Sequence, residues 1–368
     1  MKSSILFIVP LPPPVHGSSM MCNYIKESEL INSTFDCDYV NLSTSRTMDE
    51  VHTFGWVKIW RFLCSWFHVL WLLLTRRYDL CYLAIAFHKG LLKDAPFVFL
   101  CKLFHRKTVI HLHGKGASDD AKNAFYRWLL KSIFDNTKVI MLSWLLYPDV
   151  EQFVRKEDVS ICPNGIPVND DTIIDVGNEK KEFAIPKLLF LSNLHVSKGV
   201  FVLLDALEIL KDKGYSFVCD FVGGETTEID ANKFEEEVEK RHLEKQVFYH
   251  GRKYGEEKDA FFEKSDLFIF PTNEDCFPLV LLEAMAHHLP IVTTDEGAIP
   301  DEVVDGENGL IGEQKNPVSI VDCIERLLCD ENMRKEMGKN GYHKLHDYFT
   351  IDAYESNIKT ILSKYLKK

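Results

Sequence analysis

The stretch DLFIFPTNEDCFPLVLLEAMAHHLP, residues 266–290, decides the fold class. DLFIFP is a short apolar run of strand length, TNED is a polar turn, and Pro278 opens a second, almost unbroken apolar run. Proline suits the first helical position, where its missing N–H costs little. A buried strand feeding directly into a helix is the building block of a parallel sheet. One carboxylate, Glu283, stands inside the second run, where an unpartnered charge is expensive to bury.

Working outward, the same unit repeats. KLLFLS (187–192), FVCDFVG (217–223), QVFYHG (246–251) and PIVTT (290–294) are further strand candidates, with a helix expected from Lys198. The first half carries an equivalent series: ILFIVP (5–10), YDLCYLAIA (78–86), KTVIHLH (107–113) and KVIML (138–142), with a helix from Ser18 to Leu30. Continuous apolar strands alternating with helices indicate α/β architecture with parallel sheets covered on both faces. A chain of 368 residues is too long for one core and fits two domains. The polar, turn-rich stretch 163–182 reads as the linker. The expected division is residues 1–166, a linker at 167–185, a second domain at 186–348, and a C-terminal amphipathic helix at 349–368 that packs back on the first domain. Ligand loops belong at the carboxyl ends of the strands, which places the expected site in a cleft between the halves.

The formal charge of −12 is uneven. Residues 1–167 carry 19 basic and 15 acidic side chains, whereas the remainder carries 24 and 40. Residues 55–131 alone hold 13 basic against 4 acidic. The total argues against nucleic acid, and the local basic field suggests an anionic partner for the first half. The ten cysteines show no CxxC pair or zinc-ligand spacing, which favours free thiols in a reducing cytoplasm. SSILFIVP followed by prolines reads as a strand rather than a signal peptide. Asp36-Cys37-Asp38 is read as surface acid, with no metal site assigned.

Three loops carry candidate chemistry. In SNLHVSKGV (192–200), Lys198 and Gly199 open a helix after a strand, a place suited to a phosphate; an ordinary surface lysine is the competing reading. Asp275 and Glu283 flank a strand-to-helix turn, and for Glu283 a structural ion pair with a lysine or arginine competes with a ligand role. In TTDEGAIPDEVVDGENGLI (293–311), Gly297 permits close backbone approach.

In order and spacing, SNLHVSKGV, PTNEDCFPLVLLEAMA and GAIPDEVVDGENGLI resemble the retaining glycosyltransferases of family four, with the GT-B fold: two Rossmann-like domains whose parallel sheets face a central cleft. PNGI (163–166) and PLPPPVHGSSM (10–20) resemble that family's interdomain turn and first glycine loop. The resemblance implies a nucleoside diphosphate sugar as donor, UDP- or GDP-linked, and a saccharide or lipid-linked saccharide as acceptor. It implies surface polysaccharide or glycoconjugate assembly, with no cofactor and no metal. Carried over residue by residue, Glu283 binds the ribose, Asp275 sits near the donor sugar and Lys198 neutralises the diphosphate. Amides around Cys276, Phe277, Leu279 and Val280 help to hold the donor, and Gly17 approaches the diphosphate. His113 contacts the donor sugar, with His111 as the alternative. The sequence departs from the family at Asn193, where arginine is usual, at Asp275, where glutamate is usual, and at Cys276, where glycine is usual. Arg252 is the candidate for the missing guanidinium; Lys198 acting alone is the other reading. The rival functions are a sugar-nucleotide epimerase of the same fold and a non-catalytic sugar-nucleotide-binding scaffold.

WVKIWRFLCSWFHVLWLLLTRR (56–77) is the most hydrophobic segment. Its uninterrupted apolar part is shorter than the roughly 20 residues of a span. Two readings stand: a helix lying in an anionic membrane interface at the inner face of the cell membrane, or a helix buried on the first sheet.

Overall fold

The computed structural model describes residues 2–46, 50, 55–168 and 185–367, so most of the expected linker lies outside the described residues. The chain divides into two compact units, residues 1–165 with 351–368, and residues 166–350.

In the first unit the strands are β1 (Ser4–Val9), β2 (Asp36–Asn41), β3 (Leu80–Ile85), β4 (Lys107–Leu112), β5 (Lys138–Met141) and β6 (Val159–Ile161). The helices are α1 (Gly17–Glu27), α2 (Glu29–Thr34), α3 (Trp56–Thr75), α4 (Lys89–Leu103), α5 (Ala117–Asp120) and α6 (Ala124–Phe134). The strands form one parallel sheet in the order β2-β1-β3-β4-β5-β6. β1, β3 and β4 are almost wholly buried, which explains their unbroken apolar runs. Right-handed crossovers that move in opposite directions across a sheet put their helices on opposite faces. The crossover from β1 to β2 therefore sets α1 and α2 on one face, and those running from β2 to β5 set α3, α4 and α6 on the other. The contacts agree: α3 touches α4 and α4 touches α6, while α1 and α2 touch each other.

In the second unit the strands are β7 (Lys187–Leu191), β8 (Val218–Val222), β9 (Val247–Tyr249), β10 (Leu267–Phe270), β11 (Ile291–Thr294) and β12 (Gly309–Gly312). The helices are α7 (Val200–Asp212), α8 (Ala231–Lys240), α9 (Gly255–Lys264), α10 (Leu279–Ala286), α11 (Ile299–Glu302), α12 (Pro317–Cys329) and α13 (Glu331–Tyr348). Their parallel sheet has the order β12-β11-β10-β7-β8-β9. This is the doubly wound dinucleotide-fold order, whose direction reverses between β7 and β10. The last helix, α14 (Ile351–Lys367), belongs to the first unit and packs on α1 and α2.

Several local details differ from the sequence expectation. The helix expected over 18–30 breaks at Ser28, whose hydroxyl instead accepts the Ile31 amide and caps α2. The helix expected from Lys198 begins as a tight 3₁₀ turn over Val196–Lys198, and α7 starts only after Gly199. Asp36 and Asp38 lie on β2 and both bind the Arg76 guanidinium, with Tyr78 also donating to Asp38.

Candidate functional site

The direction of the second sheet reverses between β7 and β10, and the loops leaving those two strands meet there. In such sheets the ligand crevice opens outside the carboxyl ends of the strands at the reversal. Gly199 brings the two loops together. It has φ +82°, and a Cβ built on it would lie 2.1 Å from the carbonyl oxygen of Pro271. Only glycine allows that approach. The Asn273 amide donates to Ser197 O at 2.9 Å, and the Thr272 hydroxyl donates to the same oxygen at 3.2 Å. So clamped, Lys198 reaches across: its Nζ lies 2.7 Å from Asp275 Oδ2 and 2.7 Å from Glu274 O. Lys198 thus meets the side chain of Asp275 but only the backbone of Glu274.

A third loop, after β11, braces the same turn. Gly297 (φ +59°) would place a Cβ 2.3 Å from Asp275 O. The Ala298 amide donates to Cys276 O at 2.8 Å, and the Asp275 amide donates to Glu296 Oε1 at 3.3 Å. Asp275 also accepts from the Cys276 amide through Oδ1 at 2.9 Å. Both carboxylate oxygens of Asp275 are therefore held by the protein.

Beyond this turn, Pro278 is the N-cap of α10 rather than its first helical residue, so the helix starts at Leu279, one position later than expected from sequence, and without a side-chain cap. The first-turn amides, Leu279 and Val280 among them, precede the first intrahelical acceptors and carry the positive end of the helix dipole. Phe277 is buried and packs edge-on against Phe349, ring centres 5.6 Å apart, which anchors the turn.

Glu283 is not a bare buried charge. Its side chain is 27% exposed and its Oε1 lies 2.8 Å from Lys258 Nζ of α9. The helix turns Leu281, Leu282, Ala284 and Met285 into the core and leaves Glu283 at the boundary. The desolvation problem raised by the sequence is thereby resolved in the protein itself.

Asn193 and Arg252 meet at Gly224. The Asn193 side-chain oxygen accepts the Gly224 amide at 3.0 Å, and a Cβ on Gly224 would lie 2.3 Å from the Arg252 guanidinium. The loop after β9 thus brings a guanidinium to the glycine that Asn193 holds, on the carboxyl side of the same sheet.

In the first unit, Gly17 is the opening residue of α1, after β1, and its neighbour His16 caps the helix through Nδ1, accepting the Ser19 amide at 3.3 Å. His111 and His113 follow one another at the end of β4, ring centres 4.0 Å apart. His111 is fully buried and bonded through Nδ1 to the Tyr82 hydroxyl. His113 lies one residue past the strand and is partly accessible. Burial lowers the pKa of His113 to about 4, which keeps its ring neutral near pH 7.

The family described as Glycosyl transferases group 1 matches residues 174–344, which takes in nearly all of this constellation in the second unit. Over those residues the chain is similar to the group 1 glycosyl transferases, and its two parallel six-stranded sheets have the GT-B fold. Among curated proteins it is similar to the capsular polysaccharide biosynthesis glycosyltransferase CapM of Staphylococcus aureus, 27% identical over 198 residues, covering 52% of this chain and 51% of that protein. It is also similar to N-acetyl-alpha-D-glucosaminyl L-malate synthase of Bacillus anthracis, 26% identical over 265 residues, covering 69% of this chain and 67% of that protein. The chain thus spans about half the length of CapM in that alignment. Among solved structures, Anabaena HepE in complex with UDP has a TM-score of 0.74 at 15% identity, covering 98% of this chain and 100% of that one.

Two residues of this glycosyl transferase fold escaped the sequence reading. Lys258, the partner of Glu283, sits among the acids of GEEKDAFFEK without any local signal. Glu302 is fully buried, and neither carboxylate oxygen has a hydrogen-bond partner. Burial pushes its pKa well above the usual carboxylate range, and the negative charge of Asp275 adds to the shift. Its burial thus favours the protonated, neutral form behind the Asp275 turn. Helical spacing was the available signal: Glu302 shares a face with Ile299 and the buried Val303.

Proposed function

We propose that the protein is a retaining glycosyltransferase that moves a hexosyl group from a nucleoside diphosphate sugar to a hydroxyl of a saccharide or lipid-linked saccharide. The observation that carries this reading is the Lys198–Asp275 pair at the reversal of the second sheet. Departure of a nucleoside diphosphate concentrates negative charge on its phosphates, and preorganised cations and amides aimed at that charge lower the barrier. Lys198, the first-turn amides of α10 and Arg252 are the groups available for this purpose in the second unit. Asp275, held through both oxygens, is a fixed acceptor for a sugar hydroxyl, and it orients Lys198. Glu283 is the acceptor for ribose hydroxyls, which would share it with Lys258. The kinship with a capsular polysaccharide enzyme supports a role in surface polysaccharide or glycoconjugate assembly, and the fold shared with a UDP-binding protein supports a uridine nucleotide.

The test is a thermal-shift screen of UDP, GDP and their common sugars, repeated on Glu283→Ala. The correct nucleotide should raise the melting point by mass action, and the variant should lose that response. If no nucleotide moves the wild-type melting point, the donor assignment fails. Incubation with donor and no acceptor then separates a transferase, which returns slow hydrolysis or nothing, from an epimerase, which returns an altered sugar. Anomeric analysis of the product by NMR decides retention.

A further inference from the structure

Helix α3 is apolar on its exposed side as well as its packed one, unlike an ordinary surface helix. Only three of its 20 residues, Val69, Leu72 and Leu73, are buried. Its inner side packs on α4 and β2, with Phe62 edge-on to Phe97 at 5.5 Å and the Ser65 hydroxyl donating to Asn41 O at 3.1 Å. Its outer side should be polar and is not. Trp60, Leu63, Phe67, Trp71 and Leu74 recur at intervals of three and four, so they form one stripe. Trp60 is 68% exposed, Phe67 59%, Trp71 58% and Leu74 66%. From Trp60 to Leu74 the stripe runs about 21 Å along the helix, and a contiguous exposed apolar surface of this kind marks an interaction site.

The surroundings say what fits it. Helices α3, α4 and α6 form one layer on the sheet, and together they carry seven lysines and arginines. Their one acid is Asp94, which is buried. The layer adds exposed Leu103 of α4 and exposed Phe125 and Trp128 of α6. Aromatic rings with cations beside them, on a helix lying flat against its own domain, match the interface of an anionic bilayer. α3 is long and apolar enough to cross a membrane by length and composition, but its packing on α4 and β2 engages one side of it throughout this structure.

We propose that the outer face of α3 seats the protein on a lipid surface carrying anionic headgroups, with Trp60, Phe67 and Trp71 entering the headgroup region and Lys89 and Lys131 near the phosphates. This goes beyond the glycosyltransferase reading and stands apart from it, because vesicle binding requires neither donor nor acceptor.

The experiment is co-sedimentation of the whole chain with phosphatidylcholine vesicles, with and without phosphatidylglycerol, at low and high salt, with tryptophan fluorescence alongside. Wild type should partition at least tenfold more onto phosphatidylglycerol vesicles at low salt, with a blue-shifted emission. Trp60→Ser with Trp71→Ser should lose tenfold or more of the binding. Lys89→Glu with Lys131→Glu should lose the preference for phosphatidylglycerol. An unchanged melting point and far-UV circular dichroism spectrum in all variants report that the fold is intact. The proposal is overturned if wild type stays in the supernatant, or if the tryptophan variant binds as wild type does. It is equally overturned if light scattering shows that the stripe instead joins two copies of the chain.

Discussion

Lys198 Nζ lies 2.7 Å from Asp275 Oδ2, although 77 residues separate the two in the chain. The pair joins the loops that leave β7 and β10, the adjacent strands at which the second sheet reverses. Each side chain is about one-fifth exposed, so the bridge itself contributes at most about 1 kcal/mol to stability. Its value lies in position.

Replacing Lys198 by alanine should therefore lower kcat/KM by about 10²–10³ while changing stability little. Asp275→Asn should do likewise, and the double variant should be scarcely worse than either, since the two act as one unit. Steady-state rates with the donor found in the screen provide the check. A large fall in melting point with normal turnover of the folded fraction would show the pair to be structural.

Gly297→Ala should cost about 1–3 kcal/mol, because a positive φ is combined with a Cβ pressed on Asp275 O. Gly306 makes a sharp control. It has φ +82° but open space around its missing Cβ, so Gly306→Ala should show only the smaller backbone penalty. Urea denaturation of both variants separates crowding from strain. Gly297→Ala should in addition weaken nucleotide binding, which Gly306→Ala should not.

Stability should fall as pH drops from about 6.5 toward 4. Burial holds His113 neutral in the folded protein down to about 4, while the unfolded chain takes up the proton near the ordinary value of 6.5. The unfolded state then binds more protons, so stability rises with pH across that window. His113 accounts for up to about 3 kcal/mol of this, and buried His111 acts in the same direction. Denaturation at successive pH values should show a shallower acid slope for His113→Asn.

Glu302 has the opposite sign. Its folded pKa is raised, so the native state keeps a proton that the unfolded chain releases above about 4.5, and stability declines as pH rises beyond that. Glu302→Gln removes the penalty while keeping the shape. The variant should melt higher than wild type at pH 8, and the difference should shrink toward pH 4.5. An equal difference at both pH values would mean that the carboxyl is ionised in the folded protein.

Much of the fold was legible because its strands are buried on both faces. An uninterrupted run such as LCYLAI or LFIF needs no alternation to declare itself. β6 and β12 were not found: each sits at a sheet edge, is only three or four residues long, and lacks a strong apolar signature. Helix α13 carries a weak apolar signal because two of its four buried residues are glycines, Gly338 and Gly341, packed against α10 and the residues after it. α3 left two readings open in the sequence because it is apolar on both sides: one side packs on the first unit, and the other is exposed.

By itself the sequence determined the local chemistry: which runs become strands, where glycine must stand, and that Lys198, Asp275 and Glu283 belong to loops and a helix beside strand ends. Tertiary structure alone decided the partners. Strand order brought Lys198 to Asp275, and helix packing brought Lys258 to Glu283. Folding also left Glu302 without a partner beside Asp275. The reason is that hydrophobic patterning is written along the chain, whereas the energy of a charge depends on what stands within a few ångströms of it in space.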